Sequence, residues 1–470
     1  GSMYYAGIFE YASGSGSFSV LAEDISVAPG IVDDTYYAYQ WHYDAADVPD
    51  AWSYMLSQPT DFQETVIAVL DTGYLPHPDL LANIATDGYD FVDDLLIAND
   101  GDGRDPDPTD PGDSATEPSW HGTHVSGTIA AVTNNATGVA GIGLNSLKVL
   151  PLRVLGVDYG LTADIVEAVL YAAAEPNASG AVPSSSVSVI NMSLGGGSYS
   201  QAFYDAIGLA VSKGIAVVCA SGNTGSSGVQ YPAAYDNTIA IGSVAENLSL
   251  AYYSTYGPEV DFVGPGGDYF QDSMVLSTWR SGYDEYTYGF MQGTSMAVPH
   301  VSAIAGILYA HTPQLDQSGI RSLLASSSID LGVTGKDNYY GLGLVQADAA
   351  LEQLILGAMP PGLLGTVVAP SEHEIRSRIE SEMLGGGQYS PNTIIVRLRE
   401  GVVPSSSPAS IADRFELLGV RNGVMPLQTG HTSIRLARLL DGDTPVAAIR
   451  RLMRDPAVLY AEPNYYVYAQ

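Results

Sequence analysis

The chain has 470 residues, a formal net charge of −34 and a single cysteine, Cys219. That length allows one large and one small domain with a core for each, and so strong a negative charge repels a phosphate backbone, which excludes nucleic-acid binding. A lone cysteine excludes intrachain disulfides and thiolate metal clusters, and no apolar run reaches the roughly 20 residues that a membrane helix needs.

Gly1-Ser2-Met3 reads as a cloning scar, with no basic segment leading into an apolar one behind it. Residues 1–36, rich in Tyr, Gly, Ser and Asp, read as an irregular arm. From residue 64 onward short apolar runs recur. Residues 66–70, 147–154, 187–192, 215–219 and 238–242 read as buried strands, with helices over 162–174, 200–213, 296–310 and 347–356. Strands alternating with helices predict an α/β domain over 37–356, built on a mainly parallel sheet whose active crevice lies at the strands' carboxyl ends. Residues 357–389 read as a linker. Residues 390–470 have their own rhythm, with strands over 393–398, 432–436 and 457–461 and helices over 410–418 and 445–453. That order suggests a small α+β, ferredoxin-like sandwich. Charge breaks at the same place. Residues 1–370 hold 41 acidic and 7 basic side chains, whereas 371–470 hold 11 of each, every basic one an arginine.

Ser295, in Gly293-Thr294-Ser295-Met296-Ala297, stands between a glycine turn and an apolar helical run. Free N–H groups and the positive end of the helix dipole favour developing negative charge there. Alone, such a serine reads as a helix cap. It attacks an amide only if a base takes its proton, a carboxylate orients that base, and donors hold the oxyanion. The chain offers each part. Asp71 ends a strand in Asp71-Thr72-Gly73, His121 opens His121-Gly122-Thr123-His124-Val125, and Asn223 follows another strand in Ser221-Gly222-Asn223.

With these motifs, together with His77-Pro78-Asp79-Leu80 and the closing Tyr340-Gly341-Leu342-Gly343, the chain resembles the subtilisin-like serine proteases (subtilases) over about residues 37–355. The resemblance implies a secreted, bacterial serine endopeptidase, expected as a monomer acting on peptides and proteins. Asp71 would orient, His121 act as general base and acid, and Ser295 be the nucleophile. Asn223 and the Ser295 N–H would form the oxyanion hole. His124, His77 and His300 are read as structural. A sedolisin-type site fits poorly, because His121 holds the base position. Ser193, Leu194, Gly195 and Gly196 would pair with an extended substrate, and Ala220, Ser221 and Gly222 would form the far wall of the S1 pocket. Gln230 falls where many relatives carry a small residue on the S1 floor, so the pocket should be shorter or more polar and disfavour large aromatic P1 side chains. Two readings from other classes stand beside this one, a peptide ligase or macrocyclase on the same scaffold and an occluded protease–inhibitor complex.

Calcium is the expected cofactor, in a structural role. One candidate site is the aspartate-rich run 99–113, with Asp100, Asp102 and Asp105, since hard oxygen donors on a turn-rich loop suit this ion; a solvated acidic loop is the alternative. The other rests on the resemblance and uses Gln40, Asp79 and Asn135. Residues 390–470 resemble the inhibitory propeptide of subtilases, which in that family precedes the protease. Here it follows, an order that a circular rearrangement, a reversed joining of two cleaved pieces or a natural C-terminal placement would each produce. Its arginines favour encounter with an acidic partner if they share a face. The tail 465–470 is extended and apolar enough to fill a substrate groove. If Gln470 is an end left by self-cleavage it occupies P1 near Gln230, with Ala469 at P2, Tyr468 next and Val467 at P4.

Overall fold

The computed structural model describes residues 31–114, 117–282, 285–357, 370–399, 420–422, 434–439, 444–455 and 457–470. The arm before residue 31, the expected helix 410–418 and part of the expected strand 432–436 lie outside them. The described strands are β1 (Thr65–Asp71), β2 (Tyr89–Asp90), β3 (Leu147–Arg153), β4 (Gly160–Leu161), β5 (Val187–Met192), β6 (Leu194–Gly195), β7 (Ala216–Ala220), β8 (Ile239–Val244), β9 (Phe262–Pro265), β10 (Val275–Ser281), β11 (Glu285–Met291), β12 (Tyr389–Leu398), β13 (Val420–Asn422), β14 (Ile434–Leu439) and β15 (Val458–Ala469).

Seven of them form a sheet in the order β2-β3-β1-β5-β7-β8-β9, parallel at every step. The continuous apolar runs follow from this position, because a strand covered on both faces needs no polar alternation. β1, β7, β8 and β9 are buried along their whole length. On one face lie the helices His121–Ala130 and Thr294–His311, whose core includes Val125, Ile129, Val298 and Val301. On the other lie the helices Thr162–Ala172 and Gln201–Ser212. β10 and β11 form a separate antiparallel hairpin.

The C-terminal strands are antiparallel and run in the order β13-β14-β12-β15. The helix Pro445–Leu452 buries Ala448, Ile449 and Leu452 against them. The segment read as linker departs from expectation. Residues 372–384 form a helix, started by a capping box between Ser371 and Glu374. Its Ile379 and Met383 enter the same apolar core as the helices 162–172 and 201–212. Arg376 on this helix donates to the carbonyl oxygens of Met453, Val458 and Leu459. The Gly and Pro content of 357–370 had suggested flexibility for a stretch whose second half carries helix-forming Glu, Arg and Ile. The described residues from Ile31 to Gln470 pack as one compact unit.

β15 runs on where two separate pieces, 457–461 and the tail, were expected. Its first half pairs with β12, and its second half leaves the small sheet to pair with β4 and β6.

Candidate active site

The strand ends and helix starts bring the sequence motifs to one crevice. Asp71 is the last residue of β1, and His121 the first of its helix. His121 Nδ1 lies 2.7 Å from Asp71 Oδ1, so Nδ1 carries the proton and Nε2 faces the crevice. Burial alone would lower the His121 pKa. The charge and hydrogen bond of Asp71 outweigh it, with Asp113 and the Gln470 backbone adding, and the net shift is upward. His124, one turn on, instead donates Nε2–H between the carbonyls of Val275 and Gly289, holding the β10–β11 hairpin. Burial lowers its pKa to about 3. His300 Nδ1–H donates to Met296 O, and its Nε2 is paired with His42 Nδ1.

Ser295 is the second residue of the helix Thr294–His311 and is fully buried. Its N–H donates to Gln470 O at 3.1 Å. Asn223 Oδ1 accepts from the N–H and hydroxyl of Thr294, which fixes the amide. A Cβ built on Gly293 would come within 3.0 Å of Gln470 O and 3.2 Å of Asn223 Nδ2, so both atoms border the same small space. The Ser295 hydroxyl is not bonded to His121; it donates to Ser193 O at 3.0 Å.

The tail lies in the crevice as an added strand. Gln470 N–H donates to Ser193 O. Ala469 pairs with Leu194 and Tyr468 with Gly195 on β6, while Val467 pairs with Gly160 and Tyr466 with Leu161 on β4. Gln470 Nε2 donates to Gly195 O at 3.0 Å. Gly196 borders the Tyr468 ring. Ala220 and Ser221 are buried, and Ser221 O accepts from Gln230 N. Gln230 Oε1 is buried without a hydrogen-bond partner among the described residues, 2.6 Å from where a Gly222 Cβ would stand.

Sequence reasoning missed Glu462 and Asn464. The Glu462 carboxylate is fully buried and accepts from Ser200 Oγ, Gln201 N and Ala202 N, capping the helix 201–212. Asn464 Oδ1 accepts Ala163 N at the start of the helix 162–172. Two acceptors at alternate positions of one strand were the only available signal, and it has meaning only once two helix N-termini face that strand. Arg397 pairs with Asp205 on the helix 201–212, and Arg438 with Asp93 in the loop after β2 at 3.2 Å, so arginines of the small sheet meet acidic residues that flank the larger one.

The acidic-loop candidates Asp100, Asp102 and Asp105 are not gathered around one point among the described residues. Asp100 Oδ2 is 2.6 Å from Arg153 Nη1. Asp100 Oδ1 accepts Asp102 N, and Asp105 Oδ1 accepts Asp107 N, in turns of the kind aspartate closes with its own backbone. These carboxylates are spread along the loop, and no cluster of three or more His, Cys, Asp or Glu that could hold a metal occurs among the described residues. The other candidates do meet. Asp79 accepts from Asn135 Nδ2 at 2.6 Å and Val139 N at 3.1 Å. Gln40 pairs both ways with the backbone of Ala140. Burial pushes Asp79 up to about 6, hydrogen bonds oppose this, and the nearby Asp34 charge adds to it. Among the described residues no Lys or Arg pairs with this carboxylate, and a hard cation suits such a place.

Residues 63–343 match the model of the subtilase family. The chain is 37% identical over 360 residues to an extracellular protease of Xanthomonas campestris pv. campestris, covering 72% of this chain and 60% of the relative. It is 34% identical over 353 residues to the extracellular basic protease of Dichelobacter nodosus, covering 69% and 56%. Subtilisin BL of Lederbergia lenta is 38% identical over 285 residues, covering 60% and 89%. The first two relatives are thus matched over less than two thirds of their own length. Among solved structures, a protease of Pseudoalteromonas arctica PAMC 21717 aligns with a TM-score of 0.64 and 39% identity, covering 69% of this chain and all of the other.

Proposed function

The chain belongs to the subtilase family, and from that premise we propose that it is an extracellular serine endopeptidase whose own C-terminal strand occupies the non-primed half of its substrate groove. One observation carries the proposal. Gln470 sits with its carbonyl oxygen on the Ser295 N–H and its own N–H on Ser193 O, while the residues before it pair with both edges of the groove.

The chemistry follows from the geometry. Asp71 keeps the His121 proton on Nδ1, leaving Nε2 to take the Ser295 proton. The Ser295 hydroxyl must first turn from Ser193 O toward His121. Its oxygen then attacks the substrate carbonyl carbon, and the carbonyl oxygen gathers negative charge against the Ser295 N–H and the Asn223 amide. His121 returns the proton to the leaving amine, and water resolves the acyl-enzyme by the same route. With the tail in place Ser295 faces Ser193, which supports an inhibited resting state. Residues 390–470 act in this reading as an inhibitor covalently joined to the enzyme. Calcium, where bound, would be held by Asp79 and Asn135, with Gln40 bracing the turn through Ala140. It would act only as a structural ion.

The test is a serine-directed phosphonate on the full chain and on a chain lacking residues 465–470. Faster labelling of Ser295 after the deletion, with none in Ser295→Ala, supports both enzyme and inhibitor. Equal labelling of the two chains sinks the inhibitory role. Absence of Ser295-dependent labelling in either one sinks the enzyme.

A further inference from the structure

The aspartate-rich loop 99–113 is not spent entirely on its own turns. Its last part folds back onto the residues that follow β1. Tyr74 N donates to Pro108 O, and Asp110 N donates to Tyr74 O at 2.9 Å. The approach is so close that a Cβ on Gly73 would lie 2.5 Å from Pro108 O, and Gly73 has a φ of +99° that disfavours any other residue. This docking drives Asp110 inside, where it is 3% exposed. One carboxylate oxygen accepts Gly112 N at 2.8 Å, and the other accepts the Thr72 hydroxyl at 2.7 Å.

Thr72 joins the two elements that carry Asp71 and His121. Its N–H donates to Asp71 Oδ1 at 2.8 Å, on the same oxygen that receives the His121 ring. Its hydroxyl oxygen accepts Gly122 N at 3.1 Å, one residue past His121. A hydroxyl has one proton to give. With that proton directed to Asp110, a lone pair is turned toward Gly122, and the β1 end is tied to the helix start. The contact leaves no slack, since a Cβ on Gly122 would meet Gly73 O at 2.1 Å.

We propose that Asp110 is a positioning residue for the catalytic couple, holding Asp71 and His121 in register through the hydroxyl of Thr72. It touches neither substrate nor reacting atoms. The charged groups around Asp110 are Asp113 and Arg153; burial pushes its own pKa up to about 7, against the bonds from Thr72 and Gly112. Around His121 stand Asp71 and Asp113, with His124 neutral. A loop inserted beside the crevice and rich in aspartate therefore sets the geometry of the general base. This inference rests on the Asp71–His121–Ser295 reading above.

The experiment uses the full chain and peptide hydrolysis, with kcat taken at saturating substrate so that competition from the tail is suppressed. In Thr72→Val and Asp110→Ala, kcat should fall on the order of 10- to 100-fold, as for a small misplacement of a catalytic group, while the change in KM stays small. The acid limb of the pH profile should move to lower pH, because a looser Asp71 contact holds the His121 proton less well. Thr72→Ser keeps the hydroxyl and should regain the kcat that Thr72→Val loses. Circular dichroism melts identify any variant that fails to fold, and either variant alone is sufficient for the test. If Ser295→Ala is inert while both folded variants keep the wild-type kcat and acid limb, the positioning role is overturned and the triad stands. If Ser295→Ala hydrolyses peptide as well as the wild type, the triad reading falls and takes this inference with it.

Discussion

The hydroxyl of Ser193 donates to the carbonyl oxygen of Ser295 at 2.9 Å, and the Ser295 hydroxyl donates in return to the Ser193 carbonyl at 3.0 Å. The reason lies four residues further along the helix. Pro299 has no N–H for the Ser295 carbonyl, so the Ser193 hydroxyl supplies the donor instead. The helix that carries Ser295 is thereby locked to the strand edge on which the tail lies, with Ser193 O also receiving the Gln470 N–H.

Ser193→Ala removes that donor from a buried carbonyl and should cost about 1–3 kcal/mol of stability. Calorimetry of the full chain should show a lower melting temperature, and Pro299→Ala in the same background should recover part of the loss by restoring a helical N–H. A Ser193→Ala chain that melts with the wild type would mean that the reciprocal pair is dispensable.

Glu462 gives docking of the tail a pH dependence. Burial raises its pKa from 4.5 to about 7, although the bonds from Ser200, Ala202 and Gln201 pull the other way. The phenols of Tyr199, Tyr235 and Tyr460 that face it stay neutral, their own pKa values being raised by burial. A pKa raised in the docked state means that docking is fully supported below about 4.5 and loses this support as pH rises through about 7. Peptide hydrolysis by the full chain should therefore increase across that window in addition to the His121 limb. Glu462→Gln should abolish the extra increase and leave the His121 limb in place. An identical pH profile in wild type and variant would exclude Glu462 as the linked group.

Gln230 brings an amide oxygen without a partner among the described residues beside Gly222 and Gly195, where the Gln470 side chain lies and where the proposed reading puts the S1 floor. A large aromatic P1 ring would bury that oxygen without a donor, whereas an amide or hydroxyl could pair with it. Profiling a P1 library on the chain lacking residues 465–470 should show weak cleavage after Phe and Tyr. Gln230→Gly should raise cleavage after Phe roughly 10-fold or more, in the range expected when a buried polar group is no longer left unpaired. Strong Phe or Tyr preference in the parent chain would refute this.

Calcium at Asp79 and Asn135 should stabilise by mass action, about 2.7 kcal/mol at a free concentration ~100 times Kd. EDTA should then lower the melting temperature of the wild type and leave Asp79→Asn unaffected. Equal melting of the wild type with and without EDTA would remove calcium from the account of stability.

Much of the candidate site's layout was legible before the fold. Asp71, His121, Asn223 and Ser295 stand in short motifs at strand ends and helix starts, and the backbone itself makes those positions chemical: N–H groups are free there and side chains project into the crevice. The parallel sheet was equally readable, because strands covered on both faces are written as unbroken apolar runs. What the sequence could not decide was which distant groups share an atom. Asp110 and Asp100 look alike in the acidic loop, yet one is buried against Thr72 and the other stays partly exposed while it pairs with the buried Arg153. Glu462 reads as one more glutamate until two helix N-termini are set against its strand. Composition and period are local properties, and they specify elements. The partners of a carboxylate come from packing between segments far apart in the chain, and only the tertiary structure fixes those.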